Sequence, residues 1–166
     1  MHATSAFLVG LDIGSTSIKA VVEDAESGLV WQDYRRHEGR QAELLLDMLG
    51  QLGRDCGVAP VNARVFVTGA GGAPFADLIG GRYVQEVTAL VASVSRRHPE
   101  ARAVVELGGQ HAKILLFKED AATGRRKKSA SMNDKCAGGT GAVIDKIAAK
   151  LGLSPERLGT LPYVDV

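Results

Sequence analysis

Two cysteines, Cys56 and Cys136, are all that the 166 residues contain. They are too few and too far apart for a disulfide framework or for a four-ligand metal site built from this chain alone. Any metal cluster that used one of them would need ligands from elsewhere. Long apolar runs are also missing. None approaches the roughly 20 residues of a membrane span, and residues 1 to 6 have neither the basic start nor the apolar core of a secretory leader. The expected home is the cytoplasm, with no membrane partner. Nor is there an excess of one charge: 20 Lys and Arg against 19 Asp and Glu leave a net charge of +1, which argues against a nucleic-acid partner. What remains is an ordinary globular composition, 45% hydrophobic and 23% charged, long enough for one good core or two small lobes.

The most informative stretch is Phe7 to Val22, Phe-Leu-Val-Gly-Leu-Asp-Ile-Gly-Ser-Thr-Ser-Ile-Lys-Ala-Val-Val. An apolar run rich in β-branched residues leads to Asp12, a small polar turn follows at Gly14, Ser15 and Thr16, and a second apolar run resumes at Ile18. Two strands joined by a tight tip are expected. A bound polyphosphate needs close backbone approach and unpaired N–H donors. Gly14 permits the approach, and Ser15 and Thr16 offer amides and hydroxyls. Lys19 adds a positive charge from the returning strand. Asp12 would repel phosphate but can hold Mg²⁺ directly or through water. An ordinary hairpin with a polar turn explains this stretch equally well.

Downstream, Glu26-Ser27-Gly28 makes a turn and Leu29 to Arg36 reads as a third strand, completing an antiparallel meander. From Gln41 the period changes: Leu45, Met48, Leu49 and Leu52 recur at three- and four-residue steps, an amphipathic helix ending near Gly53 to Gly57. A short strand, Arg64 to Thr68, empties into Gly69-Ala70-Gly71-Gly72 ahead of a short helix from Pro74 to Ile79. Such a junction is either an anion site or simply a tight strand-to-helix connection. Tyr83 to Val87 reads as extended and Thr88 to Arg97 as helical. Three strands, helix, strand, helix, short strand and helix make an α/β arrangement of the ribonuclease-H type.

Then the opening pattern returns. Ala103 to Leu107 is apolar, Gly108-Gly109-Gln110-His111 is a turn, and Lys113 to Phe117 is apolar again. Glu106, Gly108 and Lys113 follow Asp12, Gly14 and Lys19 at one constant offset of 94 residues. An internal repeat of a phosphate hairpin is a stronger signal than either copy alone. Two such hairpins, one from each of two similar lobes, can grip a nucleotide's phosphates from opposite sides and bring two carboxylates to one Mg²⁺. The polar stretch Lys118 to Lys128, with its run Arg125-Arg126-Lys127-Lys128, reads as a solvated loop between strands.

Met132-Asn-Asp-Lys-Cys-Ala-Gly-Gly-Thr-Gly141 then leads into a helix carrying Val143, Ile144, Ile147 and Leu151. Cys136 sits beside a lysine, in a glycine-rich loop, just ahead of a helix N-terminus. All three features favour the thiolate, making Cys136 the reactive or metal-binding cysteine of the pair. A phosphate-binding turn in which Cys136 is incidental is the plainer alternative. Cys56, after the first helix, has no such setting and reads as structural.

Asp12 to Lys19, Glu106 to Lys113 and Met132 to Gly141 together resemble the ATPase activators of 2-hydroxyacyl-CoA dehydratases and the ATPase subunits of benzoyl-CoA reductase, from about Phe7 to the end of the chain. These lie within the superfamily of acetate and sugar kinases, heat-shock chaperones and actin. The two hairpins are shared across that superfamily, and the cysteine loop singles out the activators. The resemblance implies a ribonuclease-H-like actin/chaperone ATPase fold, with a first lobe over residues 1–101 and a second over 102–166. The second lobe would be cut short, because the adenosine pocket is built mainly by later segments.

It further implies ATP or ADP with Mg²⁺ as cofactors. Asp12 and Glu106 would be catalytic, and Gly14, Ser15, Thr16, Lys19, Gly108, Gly109, Gln110 and Lys113 would bind nucleotide. It implies a homodimer, or an intramolecular repeat, with one [4Fe–4S] cluster at its interface, each subunit giving two cysteines. Cys136 matches the first ligand, and two copies of it would supply two of the usual four, so a stable cluster on this chain alone is not expected. An acyl-CoA dehydratase or reductase component would receive the electron. Small activators carry Asp where this chain has Glu106 and a second Asp where it has His111. Two other readings are a small-molecule kinase of the same superfamily and a non-catalytic module that kept the fold.

Overall fold

The computed structural model describes residues 6–109, 111–119, 126–133 and 140–162. The chain forms two compact units, Met1–Arg97 and His98–Val166. Unit 1 holds a five-stranded sheet in the order β3-β2-β1-β4-β5, made from β1 (Phe7–Ile13), β2 (Ser17–Asp24), β3 (Gly28–Arg36), β4 (Ala63–Thr68) and β5 (Arg82–Tyr83). β1, β2 and β3 pair antiparallel, as the short turns between them require; β4 pairs parallel to β1 and β5 parallel to β4.

Alternation along β1 buries Val9, Leu11 and Ile13, and β2 answers with Ile18, Ala20 and Val22. Helix α1 (Gln41–Cys56) closes that face with Leu45, Met48 and Leu52, at the three- and four-residue steps that place side chains on one helix stripe. Its end is set by Gly57, left-handed at φ 70°, whose N–H donates to the Leu52 carbonyl. Val67 of β4 and Ala76 of α2 (Gly72–Leu78) complete the core. At the β2–β3 turn the Asp24 carboxylate accepts from the Ser27 amide and hydroxyl and the Glu26 amide, and these bonds hold its pKa below the usual carboxylate value.

The extended segment expected over Tyr83 to Val87 is shorter and earlier. β5 pairs only Arg82 and Tyr83 with Phe66 and Val67, the Val84 N–H closes on the Val67 carbonyl at 2.8 Å, and α3 (Glu86–Arg97) starts at once. Glu86 in its first turn and Arg96 and Arg97 in its last suit the helix dipole, which favours the earlier start.

Unit 2 carries a three-stranded antiparallel sheet, β6 (Ala103–Leu107), β7 (Ala112–Glu119) and β8 (Arg126–Asn133), followed by α4 (Gly141–Lys150) and α5 (Pro155–Gly159). The basic run is not the solvated loop expected of it. Arg126, Lys127 and Lys128 belong to β8, with Lys127 opposite Lys118 and Lys128 opposite Phe117. Backbone pairing to β7 makes the strand, and lysines suit its position at a sheet edge, where charge discourages further pairing. Among the described residues no helix is long and apolar enough to cross a membrane.

Candidate functional site

The first hairpin is held in register by its ladder, which sets Asp12 directly opposite Lys19. Lys19 Nζ donates to Asp12 Oδ2 at 2.7 Å. The two side chains are 47% and 35% exposed, so the pair contributes only about 0–1 kcal/mol. Lys19 can leave Asp12 for a stronger anion at little cost. At the tip the Gly14 N–H donates to the Ser17 carbonyl at 2.9 Å. Among the described residues nothing accepts from the amides of Ser15 and Thr16.

Two residues that the sequence did not single out fix this tip from behind. Gln41 Nε2 donates to the Gly14 carbonyl at 3.0 Å. His37 is buried, and its Nδ1 accepts from the Gly39 N–H at 3.0 Å. That bond leaves the neutral ring's proton on Nε2, which faces the Gly14 carbonyl at 3.3 Å. The His37 N–H in turn donates to the Thr16 carbonyl at 3.2 Å. With the Gly14 and Thr16 carbonyls bonded and the amides of Ser15 and Thr16 unpaired, the tip is a concavity of donors suited to an anion.

Parallel pairing of β1 and β4 brings a further residue, Thr68, beside Asp12. Residues paired across strands point to the same face, so Lys19, Asp12 and Thr68 form a row over three neighbouring strands, on the face opposite core residues Leu11 and Val67. Thr68 Oγ1 is buried, with no hydrogen-bond partner among the described residues. Beyond it the chain is pressed against the end of β1. Gly69 has φ 99°, and a methyl group placed on it would overlap the Ile13 carbonyl and come within 2.7 Å of Asp12 Oδ1. The Gly71 N–H then donates to the Ile13 carbonyl at 2.9 Å. Of the two readings of this glycine segment, a tight connection accounts for the contacts of Gly69 and Gly71.

The second hairpin repeats the first. Glu106 stands opposite Lys113, Lys113 Nζ donates to Glu106 Oε2 at 2.6 Å, and the Gly108 N–H donates to the His111 carbonyl at 2.8 Å, matching the Gly14–Ser17 bond at the same offset of 94. One difference is physical: the Lys113 side chain is 7% exposed, against 47% for Lys19, so Lys113 is the more firmly placed cation. The carbonyls of Gly108 and Gly109 accept from the amides of Gly141 and Ala142, each at 3.0 Å. These are first-turn amides that a helix cannot satisfy within itself, and they seat the N-terminus of α4 on the hairpin tip.

Gln110 and Cys136 lie outside the described residues. Among the described residues no group of three or more His, Cys, Asp or Glu is gathered as a metal site. Cys56 is half-buried at the end of α1. Desolvation, and then the charge of Asp55, push its pKa up, so it stays a thiol at neutral pH.

Residues 9–162 match the model of the BadF/BadG/BcrA/BcrD ATPase family. The chain belongs to that ATPase family. Among curated members' relatives, it is 29% identical over 161 residues to the 2-hydroxyisocaproyl-CoA dehydratase activator of Clostridioides difficile, covering 93% of this chain and 56% of the activator. It is 27% identical over 161 residues to the activator of lactoyl-CoA dehydratase of Anaerotignum propionicum, covering 93% and 58%. The chain thus spans a little over half the length of these two relatives. The solved structure of the activator of the 2-hydroxyisocaproyl-CoA dehydratase from Clostridium difficile, with bound ADPNP, superposes with a TM-score of 0.76 at 28% identity, covering 96% of this chain and 59% of that one. The α/β ribonuclease-H-like ATPase fold, expected from the order of elements and from the resemblance, is the fold found.

Proposed function

We propose that the protein containing this chain is an ATP-dependent activator, an ATPase that drives low-potential electrons into an acyl-CoA dehydratase or reductase component. One observation carries the reading: the first turn of α4 hangs by two hydrogen bonds on the Gly108 and Gly109 carbonyls of the second hairpin, and the segment leading into α4 carries Cys136. A shift of the hairpin tip on phosphate binding would thereby be passed to the first turn of α4, which Cys136 shortly precedes in sequence. In this reading Gly14, the Ser15 and Thr16 amides and Lys19 bind phosphate of ATP or ADP, as do Gly108, Gly109, Gln110 and Lys113. Asp12 and Glu106 would hold Mg²⁺, which when bound neutralises charge on the phosphates. The unpaired amides, the loosely held Lys19 and the partnerless Thr68 hydroxyl beside Asp12 support that fit. Cys136 would be one ligand of a [4Fe–4S] cluster shared in a homodimer or between internal repeats, which supplies the electron.

The test is electron delivery. Purified without oxygen and reduced, the protein containing this chain is expected to reduce an acyl-CoA dehydratase component with ATP but not with ADPNP, and Cys136→Ser to lose that transfer together with bound iron and sulfide. Full transfer without hydrolysable nucleotide, or a full cluster in the Cys136→Ser protein, overturns the reading. Phosphoryl transfer to a small hydroxyl compound would instead make the protein a kinase.

A further inference from the structure

The row Lys19–Asp12–Thr68 is asymmetric. Asp12 Oδ2 already accepts from Lys19 on one side, while on the other the Thr68 hydroxyl is buried and has no hydrogen-bond partner among the described residues. Buried hydroxyls are almost always satisfied, so an orphan calls for a cause. Thr68 is set beside Asp12 by the parallel register, on the same face, and the close approach of Gly69 keeps the end of β4 against the carboxylate. A hydroxyl rotates to suit an acceptor, and the paired residue Asp12 carries one.

Resting on the nucleotide reading above, we propose that Thr68 is the positioning residue for Asp12: its hydroxyl donates to the Asp12 carboxylate once Lys19 has turned to the phosphates. Without nucleotide, Lys19 orients Asp12. With nucleotide, the ammonium has a more highly charged partner, and Asp12 would lose its orienting bond at the moment it is needed to hold Mg²⁺. Thr68 replaces that bond without adding charge, so the carboxylate keeps its full negative charge for the cation. The hydroxyl is therefore idle in the free protein and used in the bound one.

Thr68→Val and Thr68→Ser in the protein containing this chain separate this role from a structural one. Val keeps the shape and removes the hydroxyl. Because the lost hydroxyl has no partner in the free protein, the unfolding midpoint of Thr68→Val without nucleotide is expected to be unchanged or slightly raised. Affinity for Mg-ADP is expected to fall about 10-fold, the effect of a hydrogen bond to a charged group, while affinity for ADP in excess chelator stays the same. Thr68→Ser is expected to restore the Mg-dependent part. A lowered midpoint in the free Thr68→Val protein, or equal loss of affinity with and without Mg²⁺, shows a structural role and overturns the proposal. Wild-type affinity for Mg-ADP in Thr68→Val overturns it while leaving the nucleotide reading intact. A wild-type protein that binds no nucleotide overturns both.

Discussion

In the protein containing this chain, Asp12→Asn is expected to lower phosphate release from Mg-ATP by about 100- to 1000-fold, the usual cost of removing one preorganised electrostatic group from a reacting phosphate or acyl centre. The substitution is nearly isosteric. It removes a carboxylate whose partner in the folded chain, Lys19, is itself half-exposed, so the stability lost with the pair is only about 0–1 kcal/mol. The signature is a large fall in turnover with an almost unchanged thermal unfolding midpoint, read by phosphate release and by calorimetry on the same preparation. Two outcomes would count against the role given to Asp12: turnover within a few-fold of wild type, or a loss of turnover that follows a loss of fold.

Gly69→Ala is expected to do the opposite, damaging the fold directly. The residue sits at φ 99°, and the added methyl would overlap the Ile13 carbonyl and crowd Asp12 Oδ1. Both atoms belong to the end of β1, which is fixed on one side by β2 and on the other by β4. Nothing there is a flexible side-chain end that could give way, apart from the Asp12 carboxylate itself. Overpacking against backbone plus a left-handed conformation forced on alanine should destabilise by about 3 kcal/mol or more. For a domain the size of unit 1 that lowers the unfolding midpoint by roughly 10–20 °C. Gly28→Ala is the comparison that isolates the clash. Gly28 also has a positive φ, 79°, but nothing lies within 4 Å of where its methyl would go, so about 1 kcal/mol of conformational strain is all that is expected. Equal effects at the two positions would show that Gly69 matters only for its dihedral angle.

Asp12 and Lys19 were legible in the sequence because a two-strand hairpin fixes its own register: once the turn at Gly14 is placed, the residues facing each other follow from counting. The constant offset of 94 then carried the acid, glycine and lysine to Glu106, Gly108 and Lys113, whereas the bond from Gly108 to His111 is visible only in the structure. Thr68 was not legible as a partner of Asp12. Its position depends on the parallel pairing of β1 with β4, strands far apart in sequence that meet over a shared core rather than through a local pattern. His37 and Gln41 were missed for the same reason, since they reach the Gly14 carbonyl from beyond β3 and from the first turn of α1. The polar strand β8 went unrecognised because its backbone, not its side chains, makes the pairing. The seat of α4 on Gly108 and Gly109 consists wholly of backbone atoms, which residue types do not reveal.

In the proposed reading each hairpin binds phosphate when Mg-ADPNP is present. Hydrogen exchange read by mass spectrometry, on the protein containing this chain with and without Mg-ADPNP, tests it most directly. Peptides spanning Asp12 to Lys19 and Glu106 to Lys113 are expected to gain protection together, with the first turn of α4 following the second hairpin. Binding of Mg-ADPNP that leaves either hairpin's exchange unchanged would contradict the account.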